Sequence, residues 1–138
     1  MDKKNQEKKK QINNVNRETI SLSLPDSLNI GDLLEGHIEF KRTANPIPNE
    51  DVFKKYTFLY LTISKDEIDT FKELMEVPHD TFAPIDESII PIYNLKAQEK
   101  GSMLLQGFLV NQFLYKKGND SVRIVNKDRK ITHRINVY

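Results

Sequence analysis

The last third of the chain, residues 101–138, constrains the fold most strongly because its side chains alternate as they do along β-strands. Residues 101–115 are rich in branched and aromatic side chains, which suit a pleated and half-buried surface. Residues 116–121 then supply turn chemistry, since Gly118 can take a positive φ and the neighbouring Asn and Asp tolerate one. The pattern predicts a strand that enters a hairpin turn.

The residues after this turn predict two more short strands. Residues 122–125 read as the returning strand of the hairpin, and the polar run 126–129, Asn-Lys-Asp-Arg, predicts another turn. Residues 131–138 alternate again up to the last residue. We therefore predict a β-hairpin followed by a terminal strand, which is typical of a β-dominated domain.

Three earlier segments also have the patterns of strands. Residues 19–24 and 34–41 alternate apolar and polar side chains, as strands of antiparallel sheets with one solvated face do. Residues 56–63 are apolar on both faces, which predicts a central strand covered on each side. The inward-facing side chains form the predicted core: Ile20, Leu22, Leu24, Leu34, Ile38, Phe40, Leu59, Leu61, Leu105, Leu109, Ile131, Ile135 and Val137.

One helix is predicted between these strands. Ser64 and Glu67 match the capping-box pattern, in which each side chain satisfies a backbone donor of the other residue. The apolar residues of 68–75 recur at helical spacing, and Pro78 follows them. These signals predict a helix over residues 65–76.

The remaining segments read as connections. Residues 28–32 predict a connector, and the apolar run 89–93 predicts an edge strand or a loop packed on the core, because Pro91 cannot donate a ladder hydrogen bond. The loops predicted over 42–55 and 78–100 are longer than ordinary hairpin connections. Long loops on a rigid scaffold are where recognition tends to lie.

Taken together, these patterns predict an all-β fold, a mainly antiparallel β-sandwich of about seven strands with one short helix. The domain is expected to span residues 18–138. Residues 1–17 carry six basic and two acidic side chains, a net charge of +4 in a chain of net charge +1, so residues 18–138 are mildly acidic at −3. This basic segment has too few apolar residues to offset the entropy of ordering it, and we expect a disordered leader or tether.

The composition excludes cysteine chemistry, and the hydropathy of the chain predicts no membrane-spanning helix. The chain has no cysteine, so disulfides, thiolate metal sites and thiol nucleophiles are not available to it. No stretch has the apolar length of a transmembrane helix, and the amino terminus lacks the apolar core of a signal peptide. For an exported protein we expect the signal to have been removed, with a possible lipid anchor upstream of residue 2.

The candidate sites for chemistry are few. His37 lies between Glu35 and Glu39 on one strand face, which suggests a weak metal or acid–base site, although a solvated face of mixed charge predicts the same residues. His79 and Asp80 suggest an imidazole oriented by a carboxylate, without an identifiable nucleophile beside it. We therefore predict no catalytic, cofactor or metal residues and no bound cofactor.

Acidic residues at Asp66, Glu67 and Asp69 suggest calcium, but they lack the glycine and ligand order of an EF-hand loop. Acidic side chains in the first turn of a helix are ordinary partners of the helix dipole. We therefore interpret this cluster as part of the predicted helix start.

Aromatic side chains on two predicted strands suggest a second function class. They are Tyr56, Phe58, Tyr60, Phe108, Phe113 and Tyr115. Together with a basic arm, such residues form stacking platforms for single-stranded nucleic acid on small barrels. The folded part is net acidic, however, and aromatic residues are common in the cores of β-proteins. Core packing is the interpretation that we favour.

A family resemblance rests on residues 24–40 and on Gly101. The pair Leu24-Pro25, the connector 28–32 and the strand residues 36–40 resemble the first two strands of immunoglobulin-like sandwich domains, and Gly101 opens a late apolar strand as in those domains. The chain lacks the Cys and Trp signature of antibody domains. Immunoglobulin-like domains are frequent on bacterial surface and periplasmic proteins, including small lipoproteins tethered by a lysine-rich spacer. The resemblance therefore implies a binding or structural role in the cell envelope.

Two function classes follow from these observations. The first is a non-enzymatic, envelope-associated binding or structural module, in the periplasm or on the cell surface, whose partner is a protein or another envelope component. The second is an intracellular small barrel of the oligonucleotide-binding type that binds single-stranded nucleic acid in the cytoplasm. We favour the first, with no nucleic acid partner, and expect binding through a sheet edge or through the loops at one end.

Overall fold

A computed structural model describes residues 19–41, 46–47, 50–86, 88–118 and 121–138. The predicted leader, residues 1–17, lies outside these described residues. Eight strands and one helix are present in the described part of the chain: β1 (Ile20–Ser23), β2 (Ser27–Leu28), β3 (Leu33–Phe40), β4 (Lys54–Ser64), α1 (Phe71–Met75), β5 (Asp80–Phe82), β6 (Ile89–Lys96), β7 (Gly101–Lys116) and β8 (Val122–Val137).

The strands form two sheets, and the predicted all-β class is confirmed. The smaller sheet has the order β1-β3-β6, and the larger has the order β2-β8-β7-β4-β5. Neighbouring strands are antiparallel except for β2, a two-residue strand that pairs parallel with β8. The sequence placed Leu28 in a connector and predicted no strand at Ser27, because two residues are too short to show an alternation. The described residues therefore contain eight strands where about seven were predicted.

The predicted turn at residues 126–129 is wrong, because β8 is one continuous strand of 16 residues. Residues Asn126 to Arg129 pair one by one with Gln112 to Leu109 of β7. Asn, Lys and Asp are common in turns, but they are tolerated in a strand whose ladder hydrogen bonds are supplied by a long partner. The described ends of the predicted first turn agree with it: Gly118 has φ +88°, and the Lys117 N–H donates to the Ser121 carbonyl at 2.9 Å. Residues 119–120 of this turn lie outside the described residues.

One apolar cluster joins the two sheets. Of the thirteen predicted core residues, ten are buried in this cluster, and Ile20, Leu22 and Leu24 are half-buried and pack against it. Half-burial is expected at β1, since it is an edge strand of the smaller sheet. Further members, from β5, β6, β7 and the residue after β6, were not predicted from the sequence: Phe82, Ile90, Ile92, Leu95, Ala97 and Met103.

The predicted helix over 65–76 is too long, and its start is wrong. Helix α1 has only five residues, and Thr70 is its N-cap. The Thr70 hydroxyl accepts from the Glu73 N–H at 3.1 Å, and the Glu73 carboxylate accepts from the Thr70 N–H at 3.2 Å, so the capping box exists six residues later than predicted. Both positions match the same Ser/Thr-x-x-Glu pattern, which cannot choose between them.

The long loop predicted over residues 78–100 is also wrong, because β5 and β6 occupy much of it. Strand β6 lies at the edge of the smaller sheet, as the edge-strand alternative for residues 89–93 predicted, and Pro91 pairs with His37 of β3. The loop predicted over residues 42–55 is described in part, and β4 already begins at its end, at Lys54. No helix among the described residues is long and apolar enough to cross a bilayer.

Candidate functional site

A cleft of about 600 Å³ opens where the last residues of β4 face the start of β5 and the connection from β6 to β7. Four chain segments that are separated in sequence meet there: residues 62–68, 77–80, 95–99 and Met103. Together they line the cleft with apolar and polar side chains. The lining residues are Thr62 to Asp66, Ile68, Val77 to Asp80, Leu95, Lys96, Gln98, Glu99 and Met103.

The cleft has an apolar floor and a charged rim. Leu95 and Met103 belong to the buried core, and Ile63 packs against it, so the floor is continuous with the interior of the domain. At the rim, the Lys65 ammonium lies 3.5 Å from the Glu99 carboxylate, and both side chains are exposed. An apolar base with a few polar groups around it is the usual composition of a binding site.

Gln106 of β7 fixes the wall formed by residues 64–68. Its side chain is fully buried, its amide nitrogen donates to the Ser64 hydroxyl at 2.6 Å and to the Asp66 carbonyl at 2.8 Å, and its amide oxygen accepts from the Ile68 N–H at 2.9 Å. Both donors of the amide and one acceptor site are therefore used within this wall. The sequence analysis missed Gln106, although an uncharged polar residue in the middle of an apolar strand is a signal for such a role.

Lys130 of β8 also binds this connection. Its ammonium donates to the Glu67 carboxylate at 2.6 Å and to the Asp69 carboxylate at 3.4 Å. The hydrogen bond to Glu67 is the main reason that the pKa of Lys130 lies above its ordinary value of 10.5, and Asp69 acts in the same direction. Glu67 and Asp69, which the sequence suggested as a helix start or a calcium cluster, are thus partners of a lysine.

His79 and Asp80 do lie together at the cleft, as lining residues of its β5 side. The imidazole is oriented by other groups: Nδ1 lies 2.8 Å from the Val77 carbonyl, and the ring packs edge-on against Tyr60 with centroids 6.1 Å apart. A carbonyl oxygen only accepts, so Nδ1 carries the hydrogen in this contact. The predicted orientation by the Asp80 carboxylate is therefore replaced by a backbone contact.

Two hydroxyl residues line the cleft, Thr62 and Ser64, and the Thr62 hydroxyl donates to the Pro78 carbonyl at 2.9 Å. Ser64 is therefore the one to consider as a nucleophile. Its oxygen donates to the Asp66 carbonyl at 3.1 Å and accepts from the Gln106 amide at 2.6 Å. A nucleophilic serine needs a base that takes its proton, whereas this proton points to a carbonyl that cannot take it. The contacts of Ser64 describe a hydroxyl that shapes the loop.

The second candidate from the sequence, His37 with its two glutamates, lies on the smaller sheet. The His37 imidazole is 3.8 Å from the Glu39 carboxylate, and both side chains are well exposed. Glu35 lies where the pairing of β3 with β6 shifts register, between Leu34 and Gly36. Among the described residues, no group of three or more His, Asp and Glu side chains has the geometry to hold a metal ion.

The six aromatic residues of the sequence analysis divide between the two faces of the larger sheet. Phe108 is buried against Phe71 of α1, and Phe113 and Tyr115 are buried on the sheet face that carries Leu105 and Leu109, which confirms core packing for these three. Tyr56, Phe58 and Tyr60 follow one another on the opposite face with ring centroids 6.3 Å apart. Phe71 of α1 covers the Tyr60 end of this row and also contacts Phe108, whereas Tyr56 is exposed.

No protein-family model matches the sequence, and no curated protein and no solved structure is significantly similar to it.

Proposed function

We propose that this protein is a non-enzymatic binding module that takes up a short peptide segment of a protein partner in the cleft described above. The observation that carries the proposal is the composition of the cleft: its floor is apolar and continuous with the core, and its rim carries both signs of charge. Lys65, Lys96 and His79 stand beside Asp66, Asp80 and Glu99. A peptide offers backbone hydrogen-bonding groups, apolar side chains and both charges, and so complements such a surface.

The walls of the cleft support recognition rather than chemistry. Gln106 and Lys130 both bind the 64–69 connection, and restraining it in this way lowers the entropy lost when a ligand binds. The Ser64 hydroxyl donates to a backbone carbonyl, which cannot take its proton as the base of a nucleophilic serine would. We place the module in the cell envelope, an assignment that rests on the immunoglobulin-like resemblance and on the lysine-rich leader.

A peptide-display selection on the full chain tests the proposal. Selected peptides should shift the backbone amide signals of residues 62–66, 77–80 and 95–99 in an NMR titration. Charge reversal at the rim by Asp80→Lys or Glu99→Lys should weaken the binding of selected peptides that carry a basic residue, because like charges then face each other across the rim. Glu39→Lys, an equally exposed glutamate on the smaller sheet, is the matched control and should leave binding unchanged.

Two results would overturn the proposal. One is a set of selected peptides that shifts signals elsewhere in the domain and is insensitive to both rim variants. The other is turnover of an ester or peptide substrate that is lost in His79→Ala, because catalysis would then explain the cleft.

A further inference from the structure

The far end of the larger sheet combines exposed apolar side chains with basic ones. Strands β7 and β8 have 16 residues each, twice the length of β3 and β6 in the smaller sheet. The core cluster shared by the two sheets includes β7 residues only up to Leu109 and β8 residues only from Ile131. The hairpin end between them, together with the first residues of β4, thus extends past the common core.

Large apolar side chains are exposed at this end. Phe53 is 51% exposed, Val122 47% and Ile124 56%, and Tyr56 follows at 39%. Their positions in the sheet are close, since Leu114 pairs both with Lys54 of β4 and with Ile124 of β8, while Lys116 pairs with Val122. Directly paired residues project to the same face of a sheet, so Leu114, Ile124 and Val122 share one face with Lys54 and Lys116.

Basic residues surround this apolar patch. Lys54 lies over the Tyr56 ring at 5.6 Å, and Lys116 lies over the Phe53 ring at 5.2 Å. Lys55, Arg123 and Lys127 alternate with these positions along β4 and β8 and project to the opposite face. Lys117 follows directly after β7. The lysines and the arginine are thus divided between two faces of one tip and do not line a single groove.

The charge of this end is opposite to that of the rest of the domain. Residues 50–56 and 114–128 contain six basic and four acidic side chains, a net charge of +2. The other residues of 18–138 contain nine basic and fourteen acidic side chains, a net charge of −5. The domain therefore has a positive end and a negative body, which would orient it on a negatively charged surface.

We name this end of the larger sheet the hairpin end and define it as residues 53–56 and 114–124 without the turn residues 119–120. We propose that the hairpin end binds the surface of an anionic lipid bilayer. Exposed Phe, Val and Ile side chains enter the boundary between headgroups and acyl chains. Lysines on both faces of the tip reach the phosphates around them, because their long apolar stems allow the ammonium to stay in the headgroup layer. A nucleic acid would use the lysines but not the exposed aliphatic side chains, so a bilayer is the better match.

Vesicle sedimentation with the full chain tests this inference. We expect binding to phosphatidylcholine vesicles that contain phosphatidylglycerol, weaker binding as salt is added, and little binding to phosphatidylcholine alone. Reversing three lysines of the hairpin end (K54E, K116E and K117E) should lower the partition coefficient at least about tenfold. The control reverses three exposed lysines elsewhere (K65E, K72E and K100E), changes the net charge equally, and should retain binding.

A second pair of variants tests the apolar contribution. The double variant V122S/I124S should lower the partition coefficient about tenfold at constant charge. The control I85S replaces an isoleucine that is 70% exposed and lies outside the hairpin end, and it should leave the partition coefficient unchanged. Circular dichroism melts of every variant establish that each one is folded.

Three outcomes would overturn the inference. The first is equal loss of binding in both three-lysine variants, since net charge alone would then explain it. The second is binding that depends on Lys8, Lys9 and Lys10 and is unaffected by the hairpin variants. The third is the absence of vesicle binding together with K54E/K116E/K117E-sensitive binding of a single-stranded oligonucleotide, which would assign the same lysines to nucleic acid.

Discussion

The backbone carbonyl of Tyr60 in β4 occupies the space that a Cβ atom at Gly107 in β7 would need. Gly107 pairs with Leu61 of β4, so the glycine lies between neighbouring strands of the larger sheet at a point where no room is left for a side chain. Its neighbours Gln106 and Phe108 both project toward α1 and the connection before it, so this close approach also positions the cleft wall.

Replacing Gly107 with alanine should therefore destabilise the domain. The obstructing atom is backbone, which cannot rotate away as a side chain would, and we expect a loss of about 3 kcal/mol in the free energy of unfolding. Urea denaturation provides the measurement. Thr132→Ala, at an exposed position of β8, should change the free energy by less than about 0.5 kcal/mol, and a similarly small effect at Gly107 would show that the strands are further apart.

Gln106→Met should loosen the cleft wall. Methionine fills much the same volume, but it leaves the Ile68 N–H without its partner and removes one of the two donors to the Asp66 carbonyl, which keeps the Ser64 hydroxyl. We expect a loss of about 2 kcal/mol and faster hydrogen exchange at Ile68. Gln112→Met, six residues along the same face of β7, serves as the control. Unchanged exchange at Ile68 in Gln106→Met would mean that the connection is held by other contacts.

The contact of Lys130 with Glu67 contributes stability that should be lost at alkaline pH. Because the folded state raises the pKa of Lys130, folding binds this proton more tightly than the unfolded chain does. The stabilisation is therefore fully present below the ordinary lysine pKa of 10.5 and is lost as pH rises through the raised value. The difference in unfolding free energy between the wild type and Lys130→Gln should be constant near neutrality. It should shrink as the pH rises above the ordinary lysine pKa of 10.5. A difference that persists at high pH would contradict the charge contribution.

Leu61 and Leu109 are fully buried on the core faces of β4 and β7. Truncating either one to alanine removes apolar contacts and leaves a cavity, so each change should cost about 2–5 kcal/mol in denaturant melts. Ile85→Ala, at a side chain that is 70% exposed, is the control and should be nearly neutral. A neutral result at Leu61 or Leu109 would mean that the inward and outward faces of these strands are reversed.

Deleting residues 1–17 should leave the melting temperature nearly unchanged. The segment has no apolar periodicity in its sequence, and its net charge of +4 opposes collapse. A thermal melt of the shortened chain, with the full chain alongside, is the measurement. A drop of many degrees would indicate that this segment is docked on the domain as an added strand or helix.

The sequence by itself determined the class of fold and most of the core. Alternation with a period of two is a local property, so Leu34, Ile38 and Phe40 could be assigned to the inner face of β3 without knowing its partners. The same reasoning placed Ile131, Ile135 and Val137 correctly, because the face that each side chain occupies follows from the alternation along that strand alone.

Tertiary structure decided what local patterns left ambiguous. Residues 126–129 have the composition of a turn, yet their pairing with β7 keeps them extended. Ser64 and Thr70 start equally good capping boxes, and the helix begins at Thr70 because Ser64 ends β4, where its hydroxyl is bound by Gln106. That contact joins residues 42 positions apart, and the cleft likewise assembles four separated segments. Contacts of this kind are set by strand order and by the packing of the two sheets, which no local pattern encodes.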